Sequence, residues 1–206
     1  TKFLRYLLSS NMGEVLTVFL GVVLAGALGI ADPAHPGATV VPLLATQILW
    51  INLVTDSGPA LAMGVDPEID DVMARRPRRP DDRILDRAMW ARIVSVGLVM
   101  AVITLAVYDA CLPGGLFSPL ADRVPVEDQF AVARTTAFTT LVLLQLFNAF
   151  NARSATASAF HRLFSNRWLW AAIGLAALLQ VLVVEVPFLQ VAFGTAHLDL
   201  AHWAVC

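Results

Sequence analysis

The chain has 206 residues, 58% hydrophobic and 15% charged, against about 45–50% and about 25% in soluble domains. Its mean hydropathy of +0.70 and formal net charge of −2 exclude a disordered chain and leave no basic field for a nucleic-acid partner. The cysteines, Cys111 and Cys206, have no metal-ligand spacing and read as inert apolar residues.

Apolar runs predict membrane helices at about 4–30, 41–64, 89–111, 132–151 and 168–186, each close to the roughly 20 residues that a hydrocarbon core requires. A sixth begins at Leu198 and reaches only Cys206, too short to cross at about 1.5 Å per residue. The chain is therefore expected to be part of a longer one. The first run has no short apolar core followed by a small-residue cleavage pattern, so it reads as a retained span rather than a signal peptide. The expected fold class is an all-α membrane protein, a multi-pass helical bundle in the lipid bilayer. Of the 30 charged residues, 13 fall between Asp66 and Arg87. With Pro67, Pro77 and Pro80, that stretch reads as a solvated loop.

Positive residues stay on the cytoplasmic side. Lys2 and Arg5 flank the first run, Arg75, Arg76, Arg78, Arg79, Arg83 and Arg87 fill the second connection, and Arg153, Arg162 and Arg167 lie in or close the fourth. The stretches 31–40 and 187–197 have no Lys or Arg. This asymmetry predicts a cytoplasmic N-terminus. Trp90, Trp168, Trp170 and Trp203 lie near expected span ends, where indoles favour the membrane interface. A single Lys against 13 Arg suggests a GC-rich bacterial source and hence a bacterial plasma membrane.

An ionisable side chain at membrane depth costs roughly 2.5–3.5 kcal/mol, so it calls for a reason. In the first run, Asn11 and Glu14 stand three apart, which places both on one helical face. In the second, Asn52, Thr55 and Asp56 do the same, and Ser57-Gly58-Pro59 follows directly. Glycine and proline together predict that the helix loosens there and exposes carbonyl oxygens. A third polar stripe comprises Gln145, Asn148 and Asn151. Carboxylates, amides and a hydroxyl without Cys or His form a hard oxygen set, suited to Ca²⁺, Mg²⁺ or Mn²⁺ rather than zinc or copper. Glu185 and Asp109 lie near span ends, within reach of water.

The segments Ser9-Ser10-Asn11-Met12-Gly13-Glu14-Val15 and Gln47-Ile48-Leu49-Trp50-Ile51-Asn52-Leu53-Val54-Thr55-Asp56 resemble the fifth and sixth helices of calcium-transporting P-type ATPases. The likeness continues through Gly64-Val65-Asp66-Pro67 and the stretch 73–80, and Leu144 to Asn151 is similar to the family's eighth helix. It would make residues 1–206 the pump's C-terminal transmembrane domain, equivalent to helices five to nine and the start of the tenth. The resemblance implies cation ligation by Asn11, Glu14, Asn52, Thr55, Asp56 and Gln145, with Asp56 central. It also implies export of Ca²⁺ from the cytoplasm, driven by phosphorylation of a cytoplasmic aspartate.

ATP and Mg²⁺ would bind cytoplasmic domains in the N-terminal part of the pump. The Asp-Lys-Thr-Gly-Thr motif and the Pro-Glu-Gly-Leu segment of the family's fourth helix do not occur in this sequence. The chain alone is therefore expected to be catalytically inactive. Gln145 stands where two-ion pumps have a glutamate, which leaves one or two ions per cycle open and admits proton countertransport through Glu14. A pump for Mn²⁺ or another cation is an alternative reading. Others are a channel or secondary transporter built from these helices alone, and a silent membrane module.

Overall fold

In the computed structural model, residues 2–28, 41–65, 85–112, 120, 124–125, 128–152 and 166–206 are described. Most of the expected charged loop and the expected connections at 31–40 and 153–165 lie outside them. The described residues form a helical bundle. Its long members are α1 (Lys2–Leu28), α4 (Arg87–Cys111), α5 (Gln129–Ala152) and α6 (Arg167–Glu185). Each is long and apolar enough to cross a membrane. Shorter pieces are α2 (Ala45–Trp50), a π-helical turn (Ile51–Thr55), α3 (Ser57–Gly64), α7 (Pro187–Phe193) and α8 (Leu200–Val205).

The helix ends follow local chemistry. Asp86 caps α4 by accepting from the Met89 N–H at 2.7 Å, and Asn166 caps α6 through the Leu169 N–H at 3.0 Å. The Asn166 amide also donates to Ala62 O at 2.9 Å, tying the end of α3 to the start of α6. Pro187 opens α7, where its missing N–H costs nothing. Gly194 closes that helix in the left-handed region at φ 60°, a conformation glycine adopts without a Cβ penalty. Hydroxyls inside the helices bond back one turn: Thr17 to Gly13 O, Thr136 to Val132 O and Thr140 to Thr136 O. Such bonds spare them an unpaired buried state.

Helix α5 lies at the centre, with Phe138, Leu141, Val142 and Leu146 buried against α1, the π turn and α6. Along α1 and α4 the backbones approach closely. A Cβ at Gly97 would sit 2.7 Å from Met12 Cγ and 3.0 Å from the Gly13 backbone N. Small residues permit such contact, which in lipid replaces the missing hydrophobic drive between helices. Phe19, Leu53, Leu61, Val99 and Val191 point outward, the inverse of a water-soluble surface.

The second run keeps a right-handed helical path from Ala45 to Gly64 but widens in its middle. Asp56 N–H donates to Ile51 O, five residues back, at 2.9 Å. The loosening expected at Ser57-Gly58-Pro59 thus falls one turn earlier. Pro59 occupies the first turn of α3, where a missing N–H is tolerated, and the strain is relieved upstream. Two carbonyls of this stretch are taken by hydroxyls. Thr55 Oγ donates to Ile51 O at 2.9 Å, and Ser57 Oγ to Asn52 O at 3.1 Å.

Candidate cation site

Glu14, two turns along α1 from Tyr6, is buried at 3% exposure in the middle of an apolar helix. Its two oxygens meet two amides from different helices. Asn52 Nδ2 donates to Oε2 at 2.7 Å, and Gln145 Nε2 donates to Oε1 at 2.9 Å. One carboxylate therefore joins α1, the π turn and α5. Both donors are neutral amides, one on each oxygen, and further acceptor capacity remains.

Asp56 is fully buried at the junction of the π turn and α3. Its Oδ1 accepts from the Tyr6 hydroxyl at 2.7 Å, whereas Oδ2 is buried without a partner. Gln145 Oε1 and Ser10 Oγ are likewise buried and unpartnered. An orphaned buried oxygen is costly, and these three, one of them a carboxylate oxygen of Asp56, are acceptors that a hard cation would satisfy. Among the described residues no three His, Cys, Asp or Glu side chains come together. A cation here would therefore rely on amide and hydroxyl oxygens as well as the two acids.

The remaining expected residues divide. Thr55 is buried, with its hydroxyl turned onto Ile51 O. Asn148 faces inward and donates to Ser9 Oγ at 2.8 Å. Asn11 is exposed, its amide on Leu7 O at 2.9 Å, so it is not brought to Glu14. Asn151 is exposed too. Glu14 also borders an open groove of about 540 Å³, otherwise lined by Val15, Val18, Phe19, Val22, Val23 and Ile48.

Several participants escape the sequence reading. Tyr6, Ser10 and Glu14 recur every four residues, a spacing that puts them on one face, and this stripe is the signal that could have found Tyr6. Gln180 is 1% exposed inside α6 and bridges Trp50 and Thr139. A carboxamide within an apolar run is the same signal that singled out Gln145. At the far end of α6, Glu185 accepts from the Trp203 indole at 3.1 Å and pairs with His197 at 2.6 Å. Cys111 and Cys206 are both free thiols.

The fold and this cluster define a polytopic α-helical membrane protein with two buried acids, Glu14 held by amides and Asp56 by a tyrosine hydroxyl. Residues 40–206 match the family model for the cation transporting ATPase C-terminus, and the chain belongs to that family. It is 37% identical over 202 residues to a calcium-transporting ATPase of Bacillus subtilis (strain 168), covering 98% of this chain and 20% of the relative. Calcium-transporting ATPase 1 of Bacillus cereus is 35% identical over 208 residues, covering 98% and 22%. Calcium-transporting ATPase 3, endoplasmic reticulum-type, of Arabidopsis thaliana is 34% identical over 221 residues, covering 98% and 21%. The chain thus spans about a fifth of the length of these relatives.

Proposed function

We propose that the chain is the ion-binding transmembrane part of an ATP-driven P-type pump that exports Ca²⁺ from the cytoplasm. The observation carrying this reading is the meeting of Glu14, Asn52 and Gln145 beside Asp56, whose Oδ2 is buried and unpartnered. The relatives' names supply the calcium. In this reading residues 1–206 form the C-terminal transmembrane domain, the N-terminus is cytoplasmic, and ATP and Mg²⁺ act on the parts of the pump outside this chain.

The chemistry follows from the partners. An incoming cation displaces the amide hydrogens from Glu14, and the Asn52 and Gln145 side chains turn their oxygens to it. Asp56 supplies Oδ2, while the Tyr6 hydroxyl keeps its bond to Oδ1. When the cation leaves, the amides return to Glu14. A proton taken up by Glu14 at that point would serve countertransport. Asn11 lies on the face of α1 that the described residues leave open, where the rest of the pump would meet it.

The test is uptake into membrane vesicles by the full-length pump, with Ca²⁺ and Mn²⁺ in parallel, for the unchanged protein and Asp56→Asn. Loss of uptake in the variant supports the site. Undiminished uptake overturns it, and transport of Mn²⁺ alone overturns the choice of ion.

A further inference from the structure

Gln180 is fully buried in α6, in a stretch otherwise made of Ala, Leu and Val. Burying a carboxamide there is tolerable only when both of its functions are partnered. Oε1 accepts from the Trp50 indole N–H at 3.2 Å, and Nε2 donates to Thr139 Oγ at 3.2 Å. One side chain thereby connects α2, α5 and α6. As helix–helix glue such bonds are modest.

The place of Trp50 says more. It is the last residue of α2, directly before the π turn that carries Asn52 and Thr55. Its ring also packs edge-on against Phe193 of α7, with centroids 4.8 Å apart at 66°. The indole is thus held by a hydrogen bond and by a ring contact, and a held indole fixes the rotation of the helix that bears it. Two residues further on, Asn52 must meet Glu14 Oε2 at 2.7 Å.

We propose that Gln180 is a positioning residue for the cation site: by holding the Trp50 indole it fixes the rotation of α2, so that the π turn absorbs the movement of Asn52 and Asp56 as they close on a cation. The proposal rests on the pump reading above. A purely structural Gln180 would affect how much pump folds, or how well it survives heating, and leave cation affinity alone.

The experiment measures Ca²⁺ uptake against free Ca²⁺ in vesicles holding the full-length pump. Its variants are Gln180→Leu, Trp50→Phe, their combination and Gln180→His, with Asp56→Asn alongside. Gln180→Leu and Trp50→Phe should each raise the half-saturating Ca²⁺ by roughly 3–10-fold, with the maximal rate per folded pump retained. The double variant should be no worse than the worse single, because the Trp50–Gln180 bond is already lost in either one. Histidine offers one acceptor and one donor, so Gln180→His should restore the original affinity. Unchanged half-saturation in the singles, additive losses, or a loss confined to maximal rate or folded amount overturns the proposal. If Gln180→Leu does not accumulate, Trp50→Phe decides, since it keeps the contact with Phe193. Normal transport by Asp56→Asn would instead overturn the cation-site assignment on which the proposal rests, whatever the Gln180 variants do.

Discussion

Glu14 and Glu185 each have two side-chain partners, yet they live under different physics. Glu185 ends α6, where its partners are the Trp203 indole and the largely exposed His197. Water can replace either partner there, and the pairing contributes little. Glu14 lies deep between α1, the π turn and α5, and its partners are amides that cannot leave for solvent. A carboxyl group at depth, with amides for partners and unpaired oxygens nearby, offers oxygen ligands with no cation already paired to them. The difference separates a helix-end contact from a place where a cation can be exchanged.

The sharpest way to break this contrast is Asp56→Asn. It keeps the size of the side chain and removes a charge, so vesicle uptake should fall to background. Next in size is Gly97→Val. Its added atoms meet Met12 and the Gly13 backbone, and overpacking costs about 1–3 kcal/mol. Thermal unfolding of the pump in detergent should therefore show a midpoint lowered by several degrees, and an unaltered midpoint would show that the α1–α4 contact yields freely.

Tyr6→Phe keeps the ring and deletes the donor to Asp56 Oδ1. An unsatisfied buried acceptor costs about 1–3 kcal/mol. The half-saturating Ca²⁺ should shift several-fold while maximal uptake persists, and an unmoved saturation curve would deny Tyr6 a part in orienting Asp56. The smallest effect belongs to His197→Ala. Glu185 retains the Trp203 indole, and an exposed pair is worth roughly 0–1 kcal/mol, so transport should be unchanged and the midpoint nearly so. A large loss there would erase the distinction between the two glutamates.

The all-α membrane bundle is legible from composition, because a hydrocarbon solvent imposes its own alphabet on every lipid-facing position. The acids at depth are legible for the same reason, since Glu14 and Asp56 contradict their surroundings. What surrounds them is less so. Tyr6 near the start of a span passes for an interface residue, and only the partner 50 positions away shows otherwise. Asn11 shares a helical stripe with Glu14 in sequence, but the described helices pack over Glu14 and leave Asn11 outside. Ser57-Gly58-Pro59 marks a weak point without locating it. Proline at a helix start is harmless, and the backbone takes its relief where hydroxyl groups of Thr55 and Ser57 can cap the disturbed carbonyls.

The widened turn at Ile51–Thr55 also has a consequence for insertions and deletions. Each residue of an α-helix advances the chain by about 100° around the axis, and a π turn accommodates one residue more than the regular repeat. Removing one residue from this turn would restore a regular helix and leave the segments on either side close to their present facing, because the widened turn is what absorbs the extra residue. Trp50 would still face Gln180, whereas Asn52 and Thr55, inside the turn, would be displaced from their present partners. A deletion here would thus be felt first at the cation site and least in the surrounding bundle.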